Sequence, residues 1–121
     1  MKFMLLVHHD EAAFDKLSEA TKSEILAESV RLTHQLHAQG QYLSASPLQP
    51  TSTAAIVRQP EGKPIVTDGP FIETREQIAG YFLIEAKDVQ EAIAIAGRVP
   101  GARIGAVEVR PLREITGLPS V

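Results

Sequence analysis

The residues best suited to chemistry lie in one segment, 67–76, which reads Thr-Asp-Gly-Pro-Phe-Ile-Glu-Thr-Arg-Glu and separates two apolar runs. Asp68 stands before Gly69-Pro70, a strong turn signal, because Gly permits positive φ and Pro fixes φ while removing a donor. Two interpretations of Asp68 stay open. Its carboxylate either caps the turn, or acts as a general acid or base whose pKa is raised by partial burial.

Two consecutive histidines, His8 and His9, end the first apolar run of the chain. Successive side chains of a strand point to opposite faces, so at most one of the two enters a given cleft. An imidazole titrates near neutrality and is the natural proton carrier. We therefore hypothesise an acid/base pair between Asp68 and one of these histidines, the alternative being that both are capped surface groups.

Five further residues in and after the segment are candidates for ligand binding. Glu73, Arg75 and Glu76 form either a solvated, salt-bridged surface or a site for an anion or a metal. Phe71 and Tyr81 are typical core residues, but the Tyr81 hydroxyl, directly after the segment, is placed to reach a cleft rim as a donor. Carboxylates alone do not make a metal site, and no metal is expected here.

Composition excludes several classes of protein. The chain has 121 residues, 44% of them apolar, and a net charge of −3, which predicts one soluble domain with a single core. Its scattered Lys and Arg supply no basic field for nucleic acid. The absence of cysteine excludes disulfides, thiol catalysis and Cys-ligated zinc.

Localisation and cofactors follow from missing signals. The first apolar run is too short for a signal peptide, so a cytoplasmic protein without membrane contact is expected. No phosphate-cradling glycine loop or dinucleotide fingerprint is present, and no cofactor is expected. His34 and His37, three apart on a predicted helix, face different ways, which disfavours a metal between them.

Hydrophobic periodicity predicts the order strand, helix, strands, helix, strand. The first strand, 2–8, is apolar on both faces, as in a central strand. A capping box at 21–24 opens a long helix that stops at Gly40, and a second box at 88–91 opens a helix that ends at Pro100-Gly101. Its predicted inward residues are Val89, Ala92, Ile93 and Ala96. The other strands are predicted at 42–45, 54–58, 65–67, 80–85 and 104–112.

This order is that of the ferredoxin-like split βαβ, an α+β fold with two helices on one face of an antiparallel sheet. Two helices cover one face only, and the other apolar face predicts a second copy of the chain. We expect a homodimer with a cleft between sheet, segment 67–76 and partner. One domain is predicted over 1–115, with a C-terminal tail at 116–121.

The chain resembles the DGPF branch of the YCII-related family over nearly its whole length. The matching stretches are MKFMLLV at 1–7, LHAQG at 36–40, PLQP at 47–50, DGPF at 68–71, GYF at 80–82 and GAVEVRP at 105–111. The resemblance implies a dimeric α/β barrel. Shorter YCII-type relatives are associated with a proposed His-Asp pair, but those positions fall on Ser29 and Val99 here. Their suggested lyase chemistry is therefore not implied for this chain.

Two classes of function stay open. The first is an enzyme or binder for a small polar or anionic ligand, in which Asp68 and a strand-end histidine move a proton. The second is a non-catalytic dimeric regulatory module, since DGPF-type domains resemble modules found alongside extracytoplasmic-function sigma factors. A perturbed pKa at Asp68 or at a facing histidine favours the first. A large uncharged patch outside the dimer interface favours the second.

Overall fold

The computed structural model describes residues 1–69 and 74–119, which form one four-stranded sheet, a separate two-stranded ribbon and four α-helices. In chain order the elements are β1 Lys2–His9, α1 Glu11–Asp15, α2 Glu19–Ala38, β2 Tyr42–Pro47, β3 Ala55–Arg58, β4 Ile65–Asp68, β5 Gln77–Glu85, α3 Val89–Ala96, α4 Gly101–Ile104 and β6 Ala106–Pro111. Single 3₁₀ turns at Thr51–Thr53 and Pro60–Gly62 flank β3. Nowhere in the described chain is a helix both long and apolar enough to cross a membrane.

The main sheet is antiparallel, with the spatial order β2-β5-β1-β6. β1 pairs with β5 on one side and β6 on the other, which confirms the central position predicted from its two apolar faces. Taken without the ribbon, the strand order is that of a split βαβ. The predicted α+β class and antiparallel sheet are confirmed, whereas the dimeric barrel stays a prediction.

One hydrophobic core lies between the sheet and its helices. Alternate residues of β1 and β5 face the helices, because side chains of a strand alternate between its two faces. α2 contributes Leu32 and Leu36, and α3 with the turn after it contributes small and branched side chains. The buried set is Phe3, Leu5, Leu32, Leu36, Phe82, Ile84, Ala86, Ala92, Ile95, Ala96 and Val99.

α2 begins earlier than predicted, at Glu19. The Ser18 hydroxyl accepts a hydrogen bond from the Thr21 amide at 3.1 Å, so Ser18 caps the helix in place of Thr21. The short helix α1 was not predicted at all. It is capped by Asp10, whose carboxylate accepts from the Ala13 amide at 3.0 Å. Both helices begin with a side-chain cap that satisfies one otherwise unpaired amide.

α3 has the predicted cap but a different inward face. The Asp88 carboxylate accepts from the Glu91 amide at 2.9 Å, which confirms the capping signal. Ile95 is buried, whereas Ile93 is 55% exposed, so the prediction that Ile93 and Val89 point inward is wrong. The helix ends at Ala96, and over so few turns a sequence whose last five residues are all apolar does not fix which side packs.

Candidate functional site

A cleft of about 290 Å³ opens between α2 and the helix-facing side of the sheet. It lies where β1 ends and beside the first half of β5. α4 closes one end of it. Apolar side chains form most of its wall, among them Val7, Ile25, Leu26, Val30, Phe82 and Ile104.

The cleft exists because only the second half of α2 packs into the core. Leu32 and Leu36 are buried there, whereas Leu26 is 53% exposed and faces the cleft. Ile25 and Ser29, on the same predicted stripe as Leu32 and Leu36, are half-buried and also line it. The stripe that the sequence predicts as one core face is therefore divided between core and cleft.

His9 enters this cleft from the end of β1. Phe3 and Leu5 of β1 face the helices. The side chains of β1 continue to alternate beyond the register shift between Val7 and His8, so His9 points to the same side as Phe3 and Leu5. Its ring stacks on Phe14 of α1, with ring centroids 4.6 Å apart and planes inclined by 24°. The histidine is thus held by an aromatic side chain at the cleft end.

Burial lowers the pKa of His9 below the ordinary value of 6.5, because desolvation disfavours the imidazolium. The carboxylates of Glu11, Asp15 and Asp10 oppose this shift but do not cancel it. His9 is accordingly neutral at neutral pH. A neutral imidazole has one nitrogen free to accept a proton.

Lys22 lies beside the same aromatic ring. Its Nζ is 5.8 Å from the centroid of Phe14, donates to the Asp15 carbonyl at 3.3 Å, and lies 3.5 Å from Glu19 Oε1. Lys22 and His9 therefore both contact Phe14 and share one end of the cleft.

The hydroxyl groups of α2 on the cleft wall are already bonded to the helix. Ser29 Oγ donates to the Ile25 carbonyl at 3.0 Å, and Thr33 Oγ1 donates to the Val30 carbonyl at 2.6 Å. Each hydroxyl oxygen keeps lone pairs that can still accept a hydrogen bond. The middle of α2 therefore presents hydroxyl acceptors to a ligand, whereas Lys22 near the start of α2 and His9 at the end of β1 present donors.

His8 and Tyr81 lie on the opposite, open face of the sheet. His8 Nε2 is 3.0 Å from Glu108 Oε1, and Arg110 Nε is 3.8 Å from the second oxygen of that carboxylate. The Tyr81 hydroxyl is 3.1 Å from Ser44 Oγ, so its polar end is engaged there and not at the cleft rim. The structure thus separates His8 from His9, as the alternation of strand side chains requires.

Asp68 ends β4 in the separate ribbon, where it is exposed and pairs with Ala55. No hydrogen bond or ion pair joins its carboxylate to His8 or His9, and it is not among the described residues that line the cleft. Its proposed acid/base role stays a prediction.

Of the other candidate residues in the segment, two are exposed at the surface and two lie outside the described residues. Arg75 and Glu76 are exposed, and the Glu76 amide donates to Thr74 Oγ1 at 3.3 Å. Phe71 and Glu73 lie outside the described residues. Within 1–69 and 74–119, no group of three or more His, Asp or Glu side chains could hold a metal ion.

A polar cluster joins the start of α1 to Thr51 and to Gln77, whose Nε2 donates to the Thr74 carbonyl of the segment at 2.6 Å. The Glu11 carboxylate accepts from the Thr51 amide at 2.9 Å and from its hydroxyl at 2.8 Å. The Glu11 amide in turn donates to Gln77 Oε1 at 3.0 Å. Sequence reasoning missed Glu11, Phe14 and Lys22. The signals that could have found them were the Asp10 and Ser18 caps, which predict a short helix before α2.

Comparison with known families then decides what kind of chain this is. A model of the YCII-related domain matches residues 1–116. The chain belongs to the YCII-related family. An uncharacterized protein of Rhizobium meliloti (strain 1021) is 32% identical over 114 residues, covering 93% of this chain and 92% of that protein. In this YCII-related protein, Ser29 and Val99 both line the cleft.

Proposed function

We propose that this YCII-related protein binds a small organic molecule in the cleft and that His9 moves a proton on it. The observation that carries the proposal is a desolvated, neutral histidine at the end of a mainly apolar cleft of about 290 Å³. Pockets for small molecules run from roughly 300 Å³ upward and combine apolar walls with few polar groups. The cleft fits the small end of that range.

The surroundings of His9 suit reversible proton transfer. Its neutral imidazole accepts a proton from an O–H or C–H group of the ligand, which leaves the ligand as an anion. Asp10, Glu11 and Asp15 stabilise the resulting imidazolium, since each raises the pKa of His9. The proton then returns to the ligand at the same or another atom, which is general base and general acid catalysis by one group.

Family resemblance supports the same cleft by a separate line of argument. Ser29 and Val99 face the cleft. The resemblance places them at the positions of the proposed His-Asp pair of shorter relatives, but neither side chain is an acid or base near neutral pH. His9 supplies the missing ionisable group from the strand end. Asp68 as its partner stays a prediction, and the proposed chemistry does not need it.

The alternative, a regulatory module linked to extracytoplasmic-function sigma factors, rests on resemblance alone. A cleft with two basic side chains at one end favours a small ligand over a protein partner.

We also propose that two copies of the chain pack through the open faces of their sheets, forming the dimeric α/β barrel. Met4, Leu6 and Leu83 lie on this face without helix cover and are partly exposed. Leu6→Lys should then yield a monomer, whereas Leu48→Lys, at an exposed residue outside the sheet, should not. Light scattering coupled to size exclusion measures both, and a dimeric Leu6→Lys variant would reject this interface.

Ligand binding can be tested by filling the cleft. Ser29→Leu places a bulky side chain into it, and Ser23→Leu makes the same change at an exposed position of α2. Phenylacetate, phenylacetamide and 4-nitrophenol serve as probes. We expect at least one of them to shift the NMR resonances of cleft residues in the wild type and in Ser23→Leu, but not in Ser29→Leu. Equal binding by all three proteins would reject the cleft.

Proton transfer can be tested with 4-nitrophenol, whose ionised form absorbs visible light. At mildly acidic pH the free phenol is largely protonated. Wild-type protein should raise the phenolate absorbance more than His9→Gln does at the same pH, because only the imidazole can take the proton, whereas Lys22 is present in both proteins. Equal absorbance with both proteins would show that His9 is not the proton carrier.

A further inference from the structure

We infer that the ligand is a small organic acid whose apolar body lies against α2 and the sheet and whose anionic group pairs with Lys22. This inference rests on the proposed function and names the class of molecule that the cleft takes. Three features carry it: the charges on the wall, the partners of Lys22, and the size of the cleft.

The titratable wall of the cleft carries basic and phenolic groups but no carboxylate. Among the described residues that line it, the titratable side chains that face the cleft are those of His9, Lys22 and Tyr42, because the Tyr81 side chain lies on the open face of the sheet. The carboxylates near His9 belong to Asp10, Glu11 and Asp15, which are not part of this wall. The carboxylate that lies 3.5 Å from the Lys22 ammonium, that of Glu19, is also outside the wall and 92% exposed, so the cleft itself presents an anionic group with an ammonium and no like charge.

Lys22 is only weakly satisfied by the protein. Its side chain is 24% exposed and so is partly desolvated, yet its ion-pair partner Glu19 is 92% exposed and 3.5 Å away. An ion pair with so solvated a partner contributes little. The Lys22 ammonium also donates to the Asp15 carbonyl, but at 3.3 Å this contact is near the outer limit for a hydrogen bond. A ligand carboxylate would supply a shorter, charge-assisted bond.

The geometry places acid and body at different ends of the ligand. Lys22 and His9 both contact the Phe14 ring, whereas the branched side chains of Ile25, Leu26 and Val30 follow along α2. A molecule whose carboxylate meets Lys22 thus has its first carbons beside His9 and its apolar end along the helix. The proton that His9 moves is then one close to the acid group.

Size and charge limit the ligand further. A cleft of about 290 Å³ takes one ring or a branched chain of similar bulk. Lys22 is the one permanently charged cation among the described wall residues, which matches a single anionic group. Nucleotides and sugar phosphates carry more charge and more polar surface than this wall can satisfy.

Matched probes test the class directly. Phenylacetate and phenylacetamide have nearly the same shape but differ in charge. In the wild type we expect the acid to bind about tenfold tighter than the amide, the size of effect that one charged hydrogen bond gives. Lys22→Met should reduce the acid to the affinity of the amide and leave the amide unchanged. Lys16→Met, which removes an exposed lysine outside the cleft wall, should change neither.

Each outcome separates this inference from the proposed function. Equal affinities of acid and amide for the wild type, or unchanged acid binding by Lys22→Met, would overturn the ligand class and leave the binding cleft intact. Failure of both probes to bind the wild type would overturn the ligand class, and failure of 4-nitrophenol as well would overturn the proposed function too. Amide binding by Lys22→Met shows that the variant is folded, and Lys22→Gln repeats the test with a polar side chain.

A second readout distinguishes pairing with Lys22 from general charge attraction. A carboxylate held beside His9 stabilises the imidazolium, so binding of phenylacetate must raise the pKa of His9. NMR titration of the His9 ring with saturating phenylacetate should show this rise, and with phenylacetamide it should not. An unchanged His9 titration in the presence of bound acid would overturn the placement.

Discussion

Replacing Gly105 by alanine should destabilise the fold strongly, because the chain passes β1 there with no room for a side chain. A Cβ on Gly105 would overlap the His8 carbonyl oxygen and lie 3.0 Å from His9 Cα and 3.1 Å from the His8 carbonyl carbon. All three atoms are backbone. β1 is hydrogen-bonded to β5 and β6 on its two sides, so it cannot move away without breaking a ladder.

The expected cost is about 3 kcal/mol, at the upper end for forcing extra carbon into a packed site. For a domain of this size that lowers the melting temperature by roughly 10 °C. Gly97→Ala is the matched control, since its nearest contacts would be 3.5 and 3.8 Å, an ordinary van der Waals separation. It should change stability by no more than about 1 kcal/mol. Calorimetry at one fixed protein concentration compares the melting temperatures of the two variants. A Gly105→Ala variant that melts within about 2 °C of wild type would refute the close approach of Gly105 to the end of β1.

Three further predictions concern packing, caps and pH. Leu36→Ala removes a fully buried side chain and should lower the free energy of unfolding in urea by about 2–5 kcal/mol. Leu26→Ala, on the cleft wall, should lower it by well under about 2 kcal/mol. Equal losses would contradict the division of α2 between core and cleft. Asp88→Ala removes a helix cap and should lower the free energy of unfolding by about 1 kcal/mol. Asp68→Ala should change it by no more than about 0.5 kcal/mol. A comparable loss for both variants would show that the Asp68 carboxylate has a partner. Because the pKa of His9 is lower in the folded than in the unfolded chain, the unfolded state binds more protons between that pKa and 6.5. The stability should therefore rise with pH across this window and be lost as the pH falls through it. His9→Gln should flatten this slope, and parallel slopes for the two proteins would place His9 in solvent.

The sheet could be predicted because its signals are local. β1 is apolar on both faces, a pattern that is typical of a strand covered on both sides. Gly40 and Asp88 mark a helix end and a helix start through turn and cap chemistry that needs no tertiary context. These signals give the order of strands and helices along the chain. Only a few sheet topologies are compatible with that order, so the strand order can be predicted from it.

The short elements could not be predicted from periodicity, because a repeat shows only over several turns. α1 and α4 have too few turns to show a repeat. The last five residues of α3 are all apolar, so its sequence does not reveal which side is buried. The choice of Ile95 over Ile93 is a tertiary outcome. Capping chemistry at Asp10 and Ser18 was the available local signal.

The candidate site was predicted in part. The sequence shows that His8 and His9 face opposite sides, but not which side carries the helices, since β1 is apolar on both. It also cannot show that the first half of α2 leaves a cleft. Asp68 lies on a ribbon whose position depends on long-range contacts, and no local pattern reports whether such a ribbon approaches a histidine.

The most direct test of the central claim is to find where a bound probe lies. Intermolecular nuclear Overhauser effects between phenylacetate and the methyl groups of the protein give this in one experiment. The proposed cleft predicts contacts from the ring protons of phenylacetate to Ile25, Val99 and Ile104. Contacts to Met4 or Leu6 on the open face of the sheet, with none to those three residues, would contradict it.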